Sequence, residues 1–186
     1  IKAMSGKVHV SGLSGEPYMV SAVSGSVNLE SISVESLDAG TVSGSIDLAG
    51  ISAEKLNAHS VSGSNHCNGF DSEKALLSTV SGSLKAHGNA EKFKINTVSG
   101  TASLSVDQCP VKAEMSSVSG SLKIYLPENS GFTADYSSTS GSFGCDFDVS
   151  VKADGKRKKS GRATYGNGEC KIDLHTTSGS MSVLRS

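Results

Sequence analysis

The chain of 186 residues has no tryptophan, only 3 prolines, and aromatics at 5% of the whole. No apolar run is long enough to cross a bilayer as a helix. Neither charge sign is in excess. The 17 Lys/Arg face 18 Asp/Glu for a net −1, which excludes a bulk electrostatic pull toward DNA or an acidic membrane. Cysteine is sparse too. Cys67, Cys109, Cys145 and Cys170 are too few and too scattered for a disulfide scaffold, and none forms a C-x-x-C pair that would suit zinc. No Walker loop, G-x-S-x-G elbow or H-E-x-x-H helix is present. The chain starts at Ile1 rather than Met, which reads as a cleavage point or boundary, so the lack of a leader there is uninformative.

Serine is what the chain does have: 37 of them, about one residue in five, with 21 glycines. Such a composition can signal disorder. Here Val, Ile and Leu are too frequent and too evenly spread, and the length suits one domain.

The serines are periodic. Ser-Gly pairs place glycine at Gly6, Gly25, Gly44, Gly63, Gly82, Gly100, Gly120, Gly141 and Gly179, in steps of 19, 19, 19, 19, 18, 20, 21 and 38. The last step is twice 19, with Ser160-Gly161 near its middle. A unit of this length is too short for the helical repeats, and its β-branched and Ser/Gly content leaves no helical stripe. Within Thr41–Leu48, Val42, Gly44, Ile46 and Leu48 alternate with Ser43, Ser45 and Asp47, as a half-buried strand does. The parity breaks between Thr41 and Val42, where a bend or bulge is expected.

One unit cannot bury its own apolar side, but stacked units can, each position meeting its copy in the next rung. The inward columns read Val23, Val42, Val61, Val80, Val98, Val118; Val27, Ile46, Leu84, Leu122; and Leu29, Leu48, Cys67, Ala86, Leu104, Ile124, Cys145, Val183. The expected fold is therefore all-β. It is a single-domain parallel β-solenoid over 1–186 with ~19-residue rungs, about nine of them, roughly 40 Å long at ~4.8 Å per rung. Residues 1–124 form the regular rungs. Residues 125–186 are irregular and hold six of the nine aromatics, with a strand–turn–strand at 143–175 around Asp154-Gly155 that caps the solenoid.

The units at Thr41–Leu48 and the closing Thr-Thr-Ser-Gly-Ser-Met-Ser-Val, Thr176–Val183, resemble the bacterial DUF4097 family, often labelled adhesins. The resemblance covers essentially the whole chain. It implies a β-solenoid of the cell surface or envelope, outside the cytoplasm, with no catalytic residues to carry over. Asn65 and His66 depart from the repeat's apolar/polar pair, and 156–159 is unusually basic.

Three groups of residues invite chemistry. The paired serine columns, including Ser43, Ser45, Ser62, Ser64, Ser81 and Ser83, form an outward hydroxyl array. It either keeps the face soluble or binds a repetitive ligand such as a glycan. Lys156, Arg157, Lys158 and Lys159 form a basic tract at the hairpin tip. It either discourages edge pairing or contacts an anionic polymer. Asp47 and His66 suggest a serine-hydrolase set, but side-by-side rung neighbours on an open face lack a pocket and an oxyanion hole. Among the cysteines, Cys145 and Cys170 are the pair a hairpin could bring together. The expectation is a non-catalytic binding or spacer module without cofactor or metal. Its partners would be a cell-wall polymer, a glycan or a surface protein, with no nucleic acid. Membrane attachment would come only through an anchor before Ile1. A self-assembling scaffold, stacking copies through the N-terminal rung, is the alternative.

Overall fold

The computed structural model describes residues 1–154 and 159–186, which form twelve strands and, among the described residues, no helix. They are β1 (Lys2–Ser5), β2 (Val8–Ser11), β3 (Ser14–Gly15), β4 (Tyr18–Ser24), β5 (Val27–Ser43), β6 (Ile46–Ser62), β7 (Asn65–Ser105), β8 (Lys112–Leu126), β9 (Phe132–Cys145), β10 (Ser150–Asp154), β11 (Lys159–Tyr165) and β12 (Cys170–Arg185). All join one sheet wound as a β-solenoid. The β5–β6 and β6–β7 ladders are parallel with a register offset of 19, pairing Val27 with Ile46 and Ile46 with Asn65.

Each rung has three sides. In β6, Ile46 and Leu48 point inward, then Ile51 and Ala53, then Leu56, Ala58 and Ser60. Between these sides lie pairs of consecutive exposed residues: Ala49-Gly50, Glu54-Lys55 and Val61-Ser62. Two outward residues in a row are what alternation produces when a strand turns a corner. The core is the stack of the inward positions, and Val27, Leu29, Ile46, Leu48, Leu84 and Leu104 are fully buried.

The parity break falls one residue later than the hydropathy pattern implies. Val23, Val42, Val61, Val80, Val98 and Val118 are exposed, while Thr41, Ser60, Thr79, Thr97 and Ser117 before them are buried. The inward valine column is therefore corrected to an outward one. Thr and Val have nearly the same shape, so volume does not choose between them. Thr41 Oγ1 donates to Gly25 O at 3.4 Å and Thr79 Oγ1 to Gly63 O at 3.5 Å, whereas the Ser60, Thr97 and Ser117 hydroxyls in the same seat have no partner among the described residues. The Asn65 exception in a neighbouring column is also buried, its Nδ2 donating to Ser78 O at 2.9 Å.

Spatial order departs from chain order at the far end. The strands run β8-β12-β9-β11-β10, so the C-terminal strand lies between β8 and β9, parallel to both. The third inward column accordingly reads Ile124, Val183, Cys145. Ser160-Gly161 is no rung corner: β11 runs antiparallel to β9 with Gly161 opposite Tyr136, and β10 pairs antiparallel with β11. This hairpin covers the last rung. Phe132 meets Phe147 edge-on at 5.2 Å, Phe147 meets Tyr165 at 4.9 Å, and Arg185 lies 5.2 Å above Phe147. Arg162 holds Asp135 through two hydrogen bonds of 2.6 and 2.9 Å. The hairpin does not bring Cys145 and Cys170 together. Cys145 lies opposite Val183 and Cys170 opposite Phe132, and all four thiols are free.

Candidate functional site

The most regular surface is the corner made by Val-Ser-Gly-Ser. Gly44 sits at φ +154°, a region open to glycine, and a Cβ there would overlap the Gly25 carbonyl oxygen of the rung before. The same relation links Gly25 to Gly6, Gly63 to Gly44 and Gly82 to Gly63, then continues Gly100, Gly120, Gly179, Gly141. Nine glycines stack backbone on backbone, and the Gly44 N–H donates to Ser62 O of the next rung at 3.2 Å. The column of glycine holds the corners in line, which puts the flanking side chains in straight rows.

Two rows result. The first is apolar. It starts with Met4, opposite Val23 in register, continues through the six valines at 45–52% exposure, and ends in Thr177 and Thr139. Beside it run the exposed serines before each glycine, Ser43, Ser62 and Ser81 among them. Their hydroxyls make no hydrogen bond to protein among the described residues. The serines after each glycine behave differently. They are half-buried, and some bond rung to rung: Ser26 to Ser45 at 3.2 Å, Ser64 to Ser83 at 3.0 Å, Ser121 to Ser180 at 3.0 Å. The structure therefore splits the sequence-selected serines. Ser45, Ser64 and Ser83 are partly engaged in bracing the stack, while Ser43, Ser62 and Ser81 face solvent. The valine row was missed because hydropathy assigned it to the core. The retained threonine one residue earlier was the available signal.

Asp47 and His66 lie opposite each other in register on the side next to this corner. No hydrogen bond joins His66 to Asp47 or to a serine among the described residues. His66 instead lines a shallow, open depression with Lys85, His87 and Tyr125. Beneath it Cys67 is fully enclosed; burial, and then the nearby Asp47 carboxylate, push its thiol up to about 12. An inert buried thiol and an exposed imidazole do not make a nucleophile and base.

On the far sides, Lys112 bridges Glu114 and Asp173, 3.4 Å from the latter, which raises its ammonium and lowers the Glu114 carboxyl. The Lys112–Asp173 pair ties β8 to β12 at the surface. No group of three or more His, Cys, Asp or Glu able to hold a metal occurs among the described residues. Gly155 of the expected turn and Lys156, Arg157 and Lys158 of the basic tract lie outside the described residues, and Lys159 opens β11.

A family model described as Toastrack DUF4097 matches residues 1–184. Neither a curated protein nor a solved structure gives a match.

Proposed function

The chain belongs to the Toastrack DUF4097 family, and we propose that this β-solenoid module is a non-catalytic binding domain of the bacterial cell envelope, adhesin-like in action. Its valine–serine corner lies along a linear wall glycan. The observation that carries the reading is the outward valine row. Six apolar side chains stand half in water on consecutive rungs, where any polar residue would serve solubility better. A sugar ring offers an apolar C–H face with hydroxyls at its rim, and the paired rows of methyls and free serine hydroxyls complement both. The basic tract at Lys156–Lys159 supplies a second contact when the polymer is anionic.

Co-sedimentation with insoluble wall polysaccharide tests this. The wild-type chain pellets with the polymer. A Val42→Thr, Val61→Thr, Val80→Thr variant keeps side-chain shape but weakens binding by at least about tenfold, because each valine loses on the order of 0.5–1 kcal/mol of apolar burial. Equal pelleting of both proteins, or of neither, overturns the proposal. End-to-end stacking of copies is the competing reading, supported by β1, β2 and β3 being paired on one side. It predicts a mass in light scattering that rises with concentration and ignores the valine substitutions.

A further inference from the structure

We propose that Cys109 and Cys170 are a redox-active thiol pair, oxidised by a small-molecule disulfide to a bond that staples the inserted strand β12 in place. The two cysteines are 61 positions apart in sequence. The fold brings them together from different directions. Cys109 lies in the segment between β7 and β8, and Cys170 is the first residue of β12. Both meet at one carbonyl: the Cys170 N–H donates to Gly131 O at 3.0 Å, and Cys109 Sγ lies 4.0 Å from the same oxygen. Lys171 N–H, one residue on, donates to Val111 O at 3.3 Å, closing the other side. Both cysteines line one depression open to solvent beside Pro110, Ser130 and Glu169.

The two sulfurs are unequal in a way that suits exchange. Cys109 is exposed and Cys170 is buried. The neighbouring Cys170 thiol, helped by Ser130, holds the Cys109 thiol below its ordinary value, while burial and Glu169 oppose this. Cys170 is pushed the other way by the neighbouring Cys109 and by burial. Cys109 is thus the attacking thiolate and Cys170 the resolving thiol. In the first step the Cys109 thiolate attacks one sulfur of the small disulfide. A mixed disulfide forms and one small thiolate leaves. In the second, Cys170 gives its proton to solvent, attacks the Cys109 sulfur and expels the second thiolate. One external disulfide is reduced to two thiols, and two protein thiols are oxidised to one disulfide.

The position of the bond gives it a consequence. Cys170 begins the strand that enters between β8 and β9, so a link to Cys109 fixes the entry of that strand and closes a loop around β8 to β11. Such closure removes freedom from the unfolded chain and raises stability.

Oxidised glutathione is the probe. The folded, reduced protein is incubated with it, then unfolded, and free thiols are counted by alkylation and mass spectrometry. Of the four cysteines, Cys67 and Cys145 label, and a peptide pair joined through Cys109 and Cys170 appears. The oxidised protein melts about 5–10 °C above the reduced one. Cys109→Ser, a surface change that spares the core, leaves its three remaining thiols free and abolishes the melting shift. Cys145→Ser changes neither result. Four free thiols, a glutathione adduct on Cys109 that never resolves, a bond to Cys145, or an unchanged melting point would each overturn the proposal.

Discussion

At the corner seat, a threonine or serine hydroxyl lies under the backbone while the neighbouring valine stands in water. At Thr41 and Thr79 the hydroxyl donates to the glycine carbonyl of the previous rung, while Ser60, Thr97, Ser117, Ser138 and Thr176 keep the same seat with no partner for the hydroxyl among the described residues and bear the cost of burying it unpaired. Cysteines are sorted by the same local logic. Cys67 is sealed in the core with its thiol near 12, and Cys109 is exposed with its thiol lowered by Cys170. A lowered value means that more thiolate is present at neutral pH than this thiol would hold without Cys170 beside it. In the reduced protein, iodoacetamide should therefore modify Cys109 first, at a rate already climbing below pH 8. Cys67 should stay unmodified through pH 9 until the chain unfolds. Peptide mass spectrometry across a pH series reads both, and early labelling of Cys67 would contradict its enclosure.

Rungs differ from ordinary strands in how they turn. The Ser-Gly corner brings two backbones together with no room for a Cβ. The next corner uses a left-handed residue: Gly12, Gly50 and Gly69 at φ +68°, +63° and +65°, and Ser31 at +53°. Gly44→Ala should accordingly cost on the order of 2–4 kcal/mol, since it combines overlap with the adjacent rung and an unfavourable φ. Val42→Thr, two residues away, should stay within about 0.5 kcal/mol as an exposed change. Urea denaturation of the two variants separates these effects. Much at this scale was legible beforehand, and for a physical reason. Stacking requires the same residue type at the same place in each rung, so the period, the strands, the glycine column and the hairpin all left repeats or turn signals. The side on which Val42 points did not, because Thr41 and Val42 are alike in shape and alternation alone does not mark which of them the strand turns at. Cys109 escaped for a different reason: its neighbour is 61 residues away and lies outside the repeat.

Across the whole molecule, each rung touches its neighbours and little else, so stability is a sum of local interfaces. Strand β12 is the exception in origin, because it serves as the interface between β8 and β9 while coming from the far end of the chain. Deleting residues 170–186 should strip protection from β9 and β11 in hydrogen exchange while leaving β5, β6 and β7 protected. Uniform loss of protection would mean that the solenoid unfolds as one unit. The order of the final units was not readable beforehand, since Thr176–Val183 matches the repeat equally well beside either neighbour. That same insertion has a consequence for synthesis. A ribosome releases β8, then β9, then the hairpin, and only afterwards the strand that belongs between them. The earlier rungs can settle one upon another as they emerge, but β9 must wait, or let go of β8 again, until Cys170–Arg185 has been made.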